Sequence, residues 1–341
     1  MSKKLSPAAR IATGVGLAVG AAALTVGTVY TEIMTSIVAR RRTPVTATIQ
    51  TVVTGHDGSI TDPDLLVLCE TLRGIPAEQV AIRSREGYVL RARWYPAEDA
   101  KRTVILVHGW HSHWFVDFSA SSPFLHDAAC NLLLVDQRCH GDSGGDLISY
   151  GIEERYDVLA WLDWLEEHHS GYPVYLCGVS MGAATVLMAA GLPIGERVRG
   201  IIADSGYSTP DEIVKLTLKK SVGGMASPTV AAINVNCKLR GGFTLKDYSP
   251  IEAMATNTEI PCLFVHGDAD TVVPWRMSLE NYYACKAPKE LLIISGAEHA
   301  SSFLVDPDRY KQRVLDFFAA YDTPVSLPVS KKRRFGREAK A

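Results

Sequence analysis

The chain carries almost no net charge: its 341 residues hold 35 Lys and Arg against 37 Asp and Glu, a formal −2. Without an overall basic field the electrostatic footprint of nucleic-acid binding is missing, and no nucleic-acid partner is expected. Cysteine patterning is missing as well. Cys69, Cys130, Cys139, Cys177, Cys237, Cys262 and Cys285 are scattered without a CxxC pair or a histidine-linked spacing, which argues against a zinc site and a disulfide scaffold. Cys177 and Cys262 fall in apolar runs and read as small core residues, and Cys139, beside His140, reads as an ordinary loop thiol.

One uncharged run, Ile11 to Tyr30, is rich in Gly, Ala, Val and Leu and has about the twenty residues a helix needs to cross a bilayer. It predicts an N-terminal transmembrane helix, with residues 1–42 forming a membrane anchor with basic flanks and the protein sitting in the cell membrane as a single-pass species. Lys3, Lys4 and Arg10 precede the run and Arg40, Arg41 and Arg42 follow it, with Glu32 offsetting one of the latter. The positive-inside comparison therefore nearly ties, and an extracytoplasmic catalytic domain is favoured. A cleaved signal peptide is the rival reading, but the run is long for one and no AxA-type site follows.

Residues 43–79 read as a linker with a short helix, punctuated by Gly55, Asp57, Gly58, Pro63 and Pro76. Beyond it apolar runs recur at Gln79–Arg83, Tyr88–Tyr95, Thr103–Val107, Asn131–Val135, Val174–Cys177, Val198–Ala203, Cys262–Val265 and Leu291–Ile294. These predict about eight strands. The first two, joined through Ser84 to Gly87, predict an antiparallel hairpin. The others alternate with helical patterns such as Glu153–Glu166, which predicts an α/β domain over 80–320 with a mostly parallel sheet covered by helices. The long connection at about 207–251 predicts a small helical cap. The tail, 321–341, is a basic, solvated end bearing Lys331, Lys332, Arg333, Arg334, Arg337 and Lys340.

The most informative segment is Gly178-Val179-Ser180-Met181-Gly182, which follows the apolar Val174–Cys177 and precedes Ala183, Ala184, Leu187 and Met188. A GxSxG between a buried strand and a small-residue helix is the pattern of a nucleophile elbow, because the glycines allow a sharp turn that lifts the serine hydroxyl clear of the backbone. A serine hydroxyl also needs an imidazole to take its proton and a carboxylate to orient that imidazole. Asp270, in His266-Gly267-Asp268-Ala269-Asp270, and His299, in Gly296-Ala297-Glu298-His299, both follow strand ends. The order Ser180, Asp270, His299 suits a triad assembled at the carboxyl ends of parallel strands. Asp268 is the rival acid, and Asp204 ends a strand too early in the order to be preferred. His266 and His108 read as turn residues, Glu298 as a solvated neighbour, and Asp136 and Arg138 as structural anchors of their loop. The oxyanion of acyl transfer needs preformed N–H donors, expected from the backbone of Met181 and of Trp110.

The motifs His108-Gly109-Trp110, DQRCHGDSGG from Asp136, GVSMGAAT from Gly178, HGDADTVVP from His266 and GAEHA ending just past His299 occur in order, so that about Val80 to Ala320 resembles the α/β-hydrolase superfamily. The chain looks most like a bacterial membrane-anchored branch related to the fermentation-respiration switch esterases and prolyl oligopeptidase-like hydrolases. The resemblance implies the α/β-hydrolase fold and a Ser-His-Asp hydrolase that cleaves esters or thioesters without metal or organic cofactor. It equally admits a serine peptidase or acyltransferase acting on a small-molecule or peptide acyl substrate. A catalytically inactive, membrane-tethered binding protein is the alternative of another class. Cys139 stands where the family pattern has glycine, which leaves the conformation of that loop open.

Overall fold

A computed structural model of the chain describes residues 25, 27–40 and 63–322. Its strands are β1 Glu78–Arg83, β2 Val89–Tyr95, β3 Arg102–Val107, β4 Cys130–Asp136, β5 Val174–Val179, β6 Val198–Asp204, β7 Cys262–Gly267 and β8 Lys289–Ile294. They form one eight-stranded sheet in the order β1-β2-β4-β3-β5-β6-β7-β8. β2 pairs antiparallel with both β1 and β4, and every other neighbouring pair is parallel. β3, β4 and β7 are buried at every residue, which is why they read as unbroken apolar runs: helices cover both faces of a parallel sheet. The edge strand β1 fully buries only Val80.

The helices used below are α1 (27–39), α2 (Pro63–Gly74), α3 (Trp114–Asp117), α4 (Ser121–Asp127), α5 (Glu154–His168), α6 (Met181–Ala189), α7 (Pro210–Val222), α8 (Ala226–Gly241), α9 (Pro250–Thr256), α10 (Arg276–Ala284), α11 (Ser302–Val305) and α12 (Pro307–Tyr321). On one face of the sheet Trp161 and Leu162 of α5, Val186 and Leu187 of α6 and Met254 of α9 share a core with Ile105, Leu133, Leu176 and Ile201. On the other, Leu72 of α2, Leu125 of α4 and Val314, Phe317 and Phe318 of α12 pack with Val104, Leu106, Leu132 and Ile202. Alternate residues of each strand thus serve opposite layers, and truncating a filled position such as Phe317 to Ala would cost about 3–5 kcal/mol.

Between β6 and β7, α7 and α8 are joined by a single tight turn at Gly223–Met225. Their apolar faces, with Ile213, Val214, Leu218, Val230 and Ile233, form a third core with Tyr150, Met181, Met188 and four residues of α1: Met34, Ile37, Val38 and Ala39.

The membrane expectation is corrected. Most of the run Ile11 to Tyr30 lies outside the described residues, as do 43–62 of the expected linker and 323–341 of the tail. Among the described residues no helix is long and apolar enough to cross a membrane, which removes the ground for a single-pass location and for a membrane partner held through such a helix. α1 is interrupted by Thr31, Glu32, Thr35 and Ser36; its C-terminal half buries Met34, Ile37, Val38 and Ala39, while Val29, Tyr30 and Ile33 are exposed. It is fixed to α8 by polar contacts: Asn236 Nδ2 donates to Glu32 Oε1 at 3.2 Å and Thr35 Oγ1 at 3.0 Å, Arg240 pairs with Glu32 at 2.6 Å, and the Tyr30 and Thr229 hydroxyls lie 2.8 Å apart. Hydropathy alone registers an apolar side without saying whether lipid or protein covers it.

Candidate active site

β5 ends at Val179, and Ser180 stands at the head of α6 with φ 55° and ψ −115°, a conformation that side chains other than glycine rarely adopt. The two flanking glycines make that bend possible by close approach. A Cβ on Gly178 would strike the backbone of Gly182, and one on Gly182 would strike the carbonyl groups of Val107 and His108 at the end of β3. The turn is further tied to β6 by the Ser180 N–H, which donates to the Asp204 carbonyl at 2.8 Å.

The loops after β7 and β8 bring the other two residues of the expected triad to this turn. His299 Nε2 lies 3.0 Å from Ser180 Oγ, and His299 Nδ1 lies 2.7 Å from Asp270 Oδ2. An ionised carboxylate can only accept, so Nδ1 carries the proton and Nε2 is left to accept from the serine hydroxyl. Asp270 is positioned through its other oxygen, which accepts from the N–H groups of Val272 and Val273, both at 2.8 Å. His266 Nε2 also reaches Asp270 Oδ2 at 3.0 Å and the Val273 carbonyl at 3.0 Å, so it donates, while its Nδ1 lies 2.7 Å from the Ser278 hydroxyl of α10. Burial alone would raise the Asp270 carboxyl, but hydrogen bonds from His266 and His299 outweigh it and hold the group well below the usual carboxylate range.

Asp268, the rival acid, is turned to its own loop: its carboxylate accepts from the Ser295 hydroxyl at 3.1 Å and the Gly296 N–H at 2.7 Å. Asp204 accepts from the Ser205 and Ser302 hydroxyls at 2.9 and 3.2 Å and makes no bond to His299. Glu298 is exposed. The side chain of Arg138 is clamped by Asp157 through two 2.7 Å bonds, and Asp136 takes Arg93 Nη1 at 3.0 Å.

The loop after β3 runs alongside Ser180: a Cβ on Gly109 would sit 3.3 Å from Ser180 Cβ. Among the described residues no protein acceptor engages the amide of Trp110, on this loop, or of Met181, the first residue of α6. The loop is held by residues for which no role was expected. Asp117 of α3 takes the Gly109 N–H at 2.6 Å and the Ser112 hydroxyl, and His140 Nε2 accepts the His111 N–H at 2.9 Å. Burial, and then the His108 ring, push the His140 imidazole well below the usual histidine range, which keeps Nε2 an acceptor while Nδ1 donates to the Arg138 carbonyl at 2.8 Å. Cys139 adopts φ 64°, so it takes up the left-handed conformation expected of glycine there. Neither Asp117 nor His140 lies in a motif with a catalytic spacing; only the fold reveals their targets.

A scan against protein families matches residues 104–314 to the alpha/beta hydrolase family, and the chain belongs to it. It is 30% identical to the uncharacterized protein YqkD of Bacillus subtilis over 69% of this chain and 77% of that one. To the uncharacterized protein YfhR of Escherichia coli it is 26% identical over 73% and 82%. Among solved structures it is similar to the Pyrococcus furiosus esterase Pf2001, with TM-score 0.61 and 23% identity over 77% of this chain and 95% of that one. It is also similar to Est1E of Butyrivibrio proteoclasticus with ferulic acid bound, with TM-score 0.55 and 20% identity over 70% and 99%. At these identities the structural likeness is one of fold.

Proposed function

We propose that the protein is a serine hydrolase that cleaves carboxylic esters, or thioesters, through an acyl-enzyme on Ser180. The observation that carries this reading is the single hydrogen-bonded line from Ser180 Oγ through both nitrogens of His299 to Asp270. As Ser180 Oγ bonds to the carbonyl carbon, its proton passes to His299 Nε2, and the imidazolium so formed is stabilised by Asp270. The carbonyl oxygen takes up the negative charge between the amides of Trp110 and Met181. Collapse breaks the bond to the leaving alkoxide or thiolate, which takes the proton from Nε2. Water then repeats the sequence with the same base and frees the acid and Ser180.

The motif resemblance to the fermentation-respiration switch esterases and prolyl oligopeptidase-like hydrolases supports acyl transfer, and two structural neighbours named as an esterase and as a ferulic acid complex favour a small-molecule acyl substrate. We read 80–320 as the catalytic domain and about 207–251 as its cap. The test is turnover of p-nitrophenyl esters together with labelling by a fluorophosphonate. Ser180→Ala should lose both, with turnover down about 10⁶-fold. Equal labelling of wild type and variant would overturn the assignment.

A further inference from the structure

We propose that the C-terminal end of α1 positions the oxyanion hole, and that the Trp110 indole is the positioning residue through which it acts. The proposal rests on the Ser180 reading above and adds to it an element remote in sequence from every motif.

An oxyanion donor stabilises the transition state only if it is already aimed where charge develops. The loop carrying the Trp110 amide is restrained on one side by Asp117 and His140. On its other side it hangs from α1. Trp110 Nε1–H donates to the Val38 carbonyl at 2.9 Å, and His111 Nε2 meets the Arg40 carbonyl at 2.9 Å, so that this nitrogen carries the proton. The last carbonyls of a helix have no intrahelical donors and sit at the negative end of its dipole, which makes them good acceptors for N–H groups from elsewhere. The fold uses them in succession. The Tyr150 hydroxyl shares the Val38 carbonyl at 2.9 Å, and the Ile148 N–H donates to Ala39 at 2.7 Å.

The linkage is stiff. The Trp110 and His111 rings stack 4.3 Å apart with 19° between their planes, so the two side chains move together. Val38 and Ala39 are buried, and behind them Glu32 and Thr35 fix α1 to Asn236 and Arg240 of α8. A physical chain thus runs from α8 through α1 and the indole to the amide beside Ser180. Ser180, His299 and Asp270 make no hydrogen bond to α1 among the described residues, so undocking this helix should weaken the oxyanion hole and leave the nucleophile and its base in place.

The test uses the full chain. Trp110→Phe keeps the backbone amide and an aromatic ring but removes the N–H that reaches Val38. The expected result is a drop in kcat for a p-nitrophenyl ester of about tenfold to a hundredfold with KM within about twofold, and an equal weakening of a boronic acid transition-state analogue. Glu32→Lys attacks the linkage from its far end by placing a like charge beside Arg240 and Arg40, on a side chain one-third exposed, and so tests the idea even if Trp110→Phe misfolds. It should lower kcat several-fold, and the double variant should lose less than the product of the two, because both act through Val38. Folded variants with wild-type kcat, full additivity of the two losses, or an effect confined to KM would each overturn the proposal. Wild-type turnover that survives Ser180→Ala would overturn the reading beneath it instead.

Discussion

The nucleophile side and the oxyanion side of this site are held by different means. Ser180, Asp270 and His299 each stand just beyond their own strand, β5, β7 and β8; backbone packing at Gly178 and Gly182 and the Asp204 carbonyl hold the Ser180 turn, and two N–H groups within three residues hold Asp270. The loop bearing Trp110 also leaves a strand end, yet its restraints come from Asp117, His140 and the carbonyls of Val38 and Arg40. On the proposed reading the triad side chains are thus held mainly through backbone at the strand ends, whereas the donor expected to meet the transition state is aimed mainly by side chains and by a helix remote in sequence. Damage to the first should abolish turnover; damage to the second should grade it.

The largest effect is expected at His299. His299→Ala removes the imidazole that lies within reach of Ser180 Oγ, and kcat should fall about 10⁶-fold, as when either the serine or the histidine of such a unit is lost. A fall of only tenfold in p-nitrophenyl ester turnover would mean that another group takes the proton.

Asp270→Asn comes next. Its amide can turn an N–H toward Nδ1, which favours the tautomer protonated at Nε2, and an imidazole so disposed cannot receive the serine proton. A loss of about 10⁴-fold in kcat is expected. The same variant bears on stability. The Asp270 carboxyl lies below the ordinary range in the folded protein, so its contribution is fully present above the unfolded value near pH ~4 and is lost as pH falls through the folded value. Wild type should therefore lose stability toward acid more steeply than Asp270→Asn in urea melts as pH is lowered from about 5 to about 2. Parallel curves would place the depression elsewhere.

On the oxyanion side the expected losses are smaller. Asp117→Ala frees the Gly109 N–H and the Ser112 hydroxyl, and loosening one side of the loop should lower kcat about tenfold to a hundredfold with fluorophosphonate labelling retained. A loss as deep as that of His299→Ala would erase the distinction between the two sides.

What the sequence disclosed follows the same division. The strands could be read because parallel strands buried on both faces leave continuous apolar runs, and the elbow because its turn needs a glycine two residues to either side of the serine. Asp270 and Asp268 carry the same charge two residues apart, and a recurring spacing favoured the one that the folded loop turns toward His299. Asp117 and α1 carried no such mark. Asp117 meets Gly109 eight residues away across a short helix, and Val38 meets Trp110 across 72 residues, separations at which neither periodicity nor motif spacing has anything to say. The run Ile11 to Tyr30 was assigned to lipid because hydropathy measures the need for an apolar partner and leaves its identity open; just beyond it, Met34, Ile37 and Val38 are covered by the core beneath α7 and α8.

The smallest expected effect concerns Cys139, which holds a left-handed φ of 64° in the loop that presents His140 to the oxyanion side. Replacing it by glycine relieves about 1–2 kcal/mol of backbone strain. Against this stand the extra freedom that glycine gives the unfolded chain, about 0.4–1 kcal/mol, and the loss of a thiol that is only 1% exposed and fills the space beside Gly145. The terms nearly cancel, so Cys139→Gly should shift stability by less than about 1 kcal/mol in either direction. Because the bonds that fix His140 and His111 involve the Arg138 carbonyl and the imidazole and not the thiol, kcat should stay within about twofold of wild type. A tenfold fall in kcat with unchanged stability would show that the thiol itself helps to aim the loop that bears Trp110.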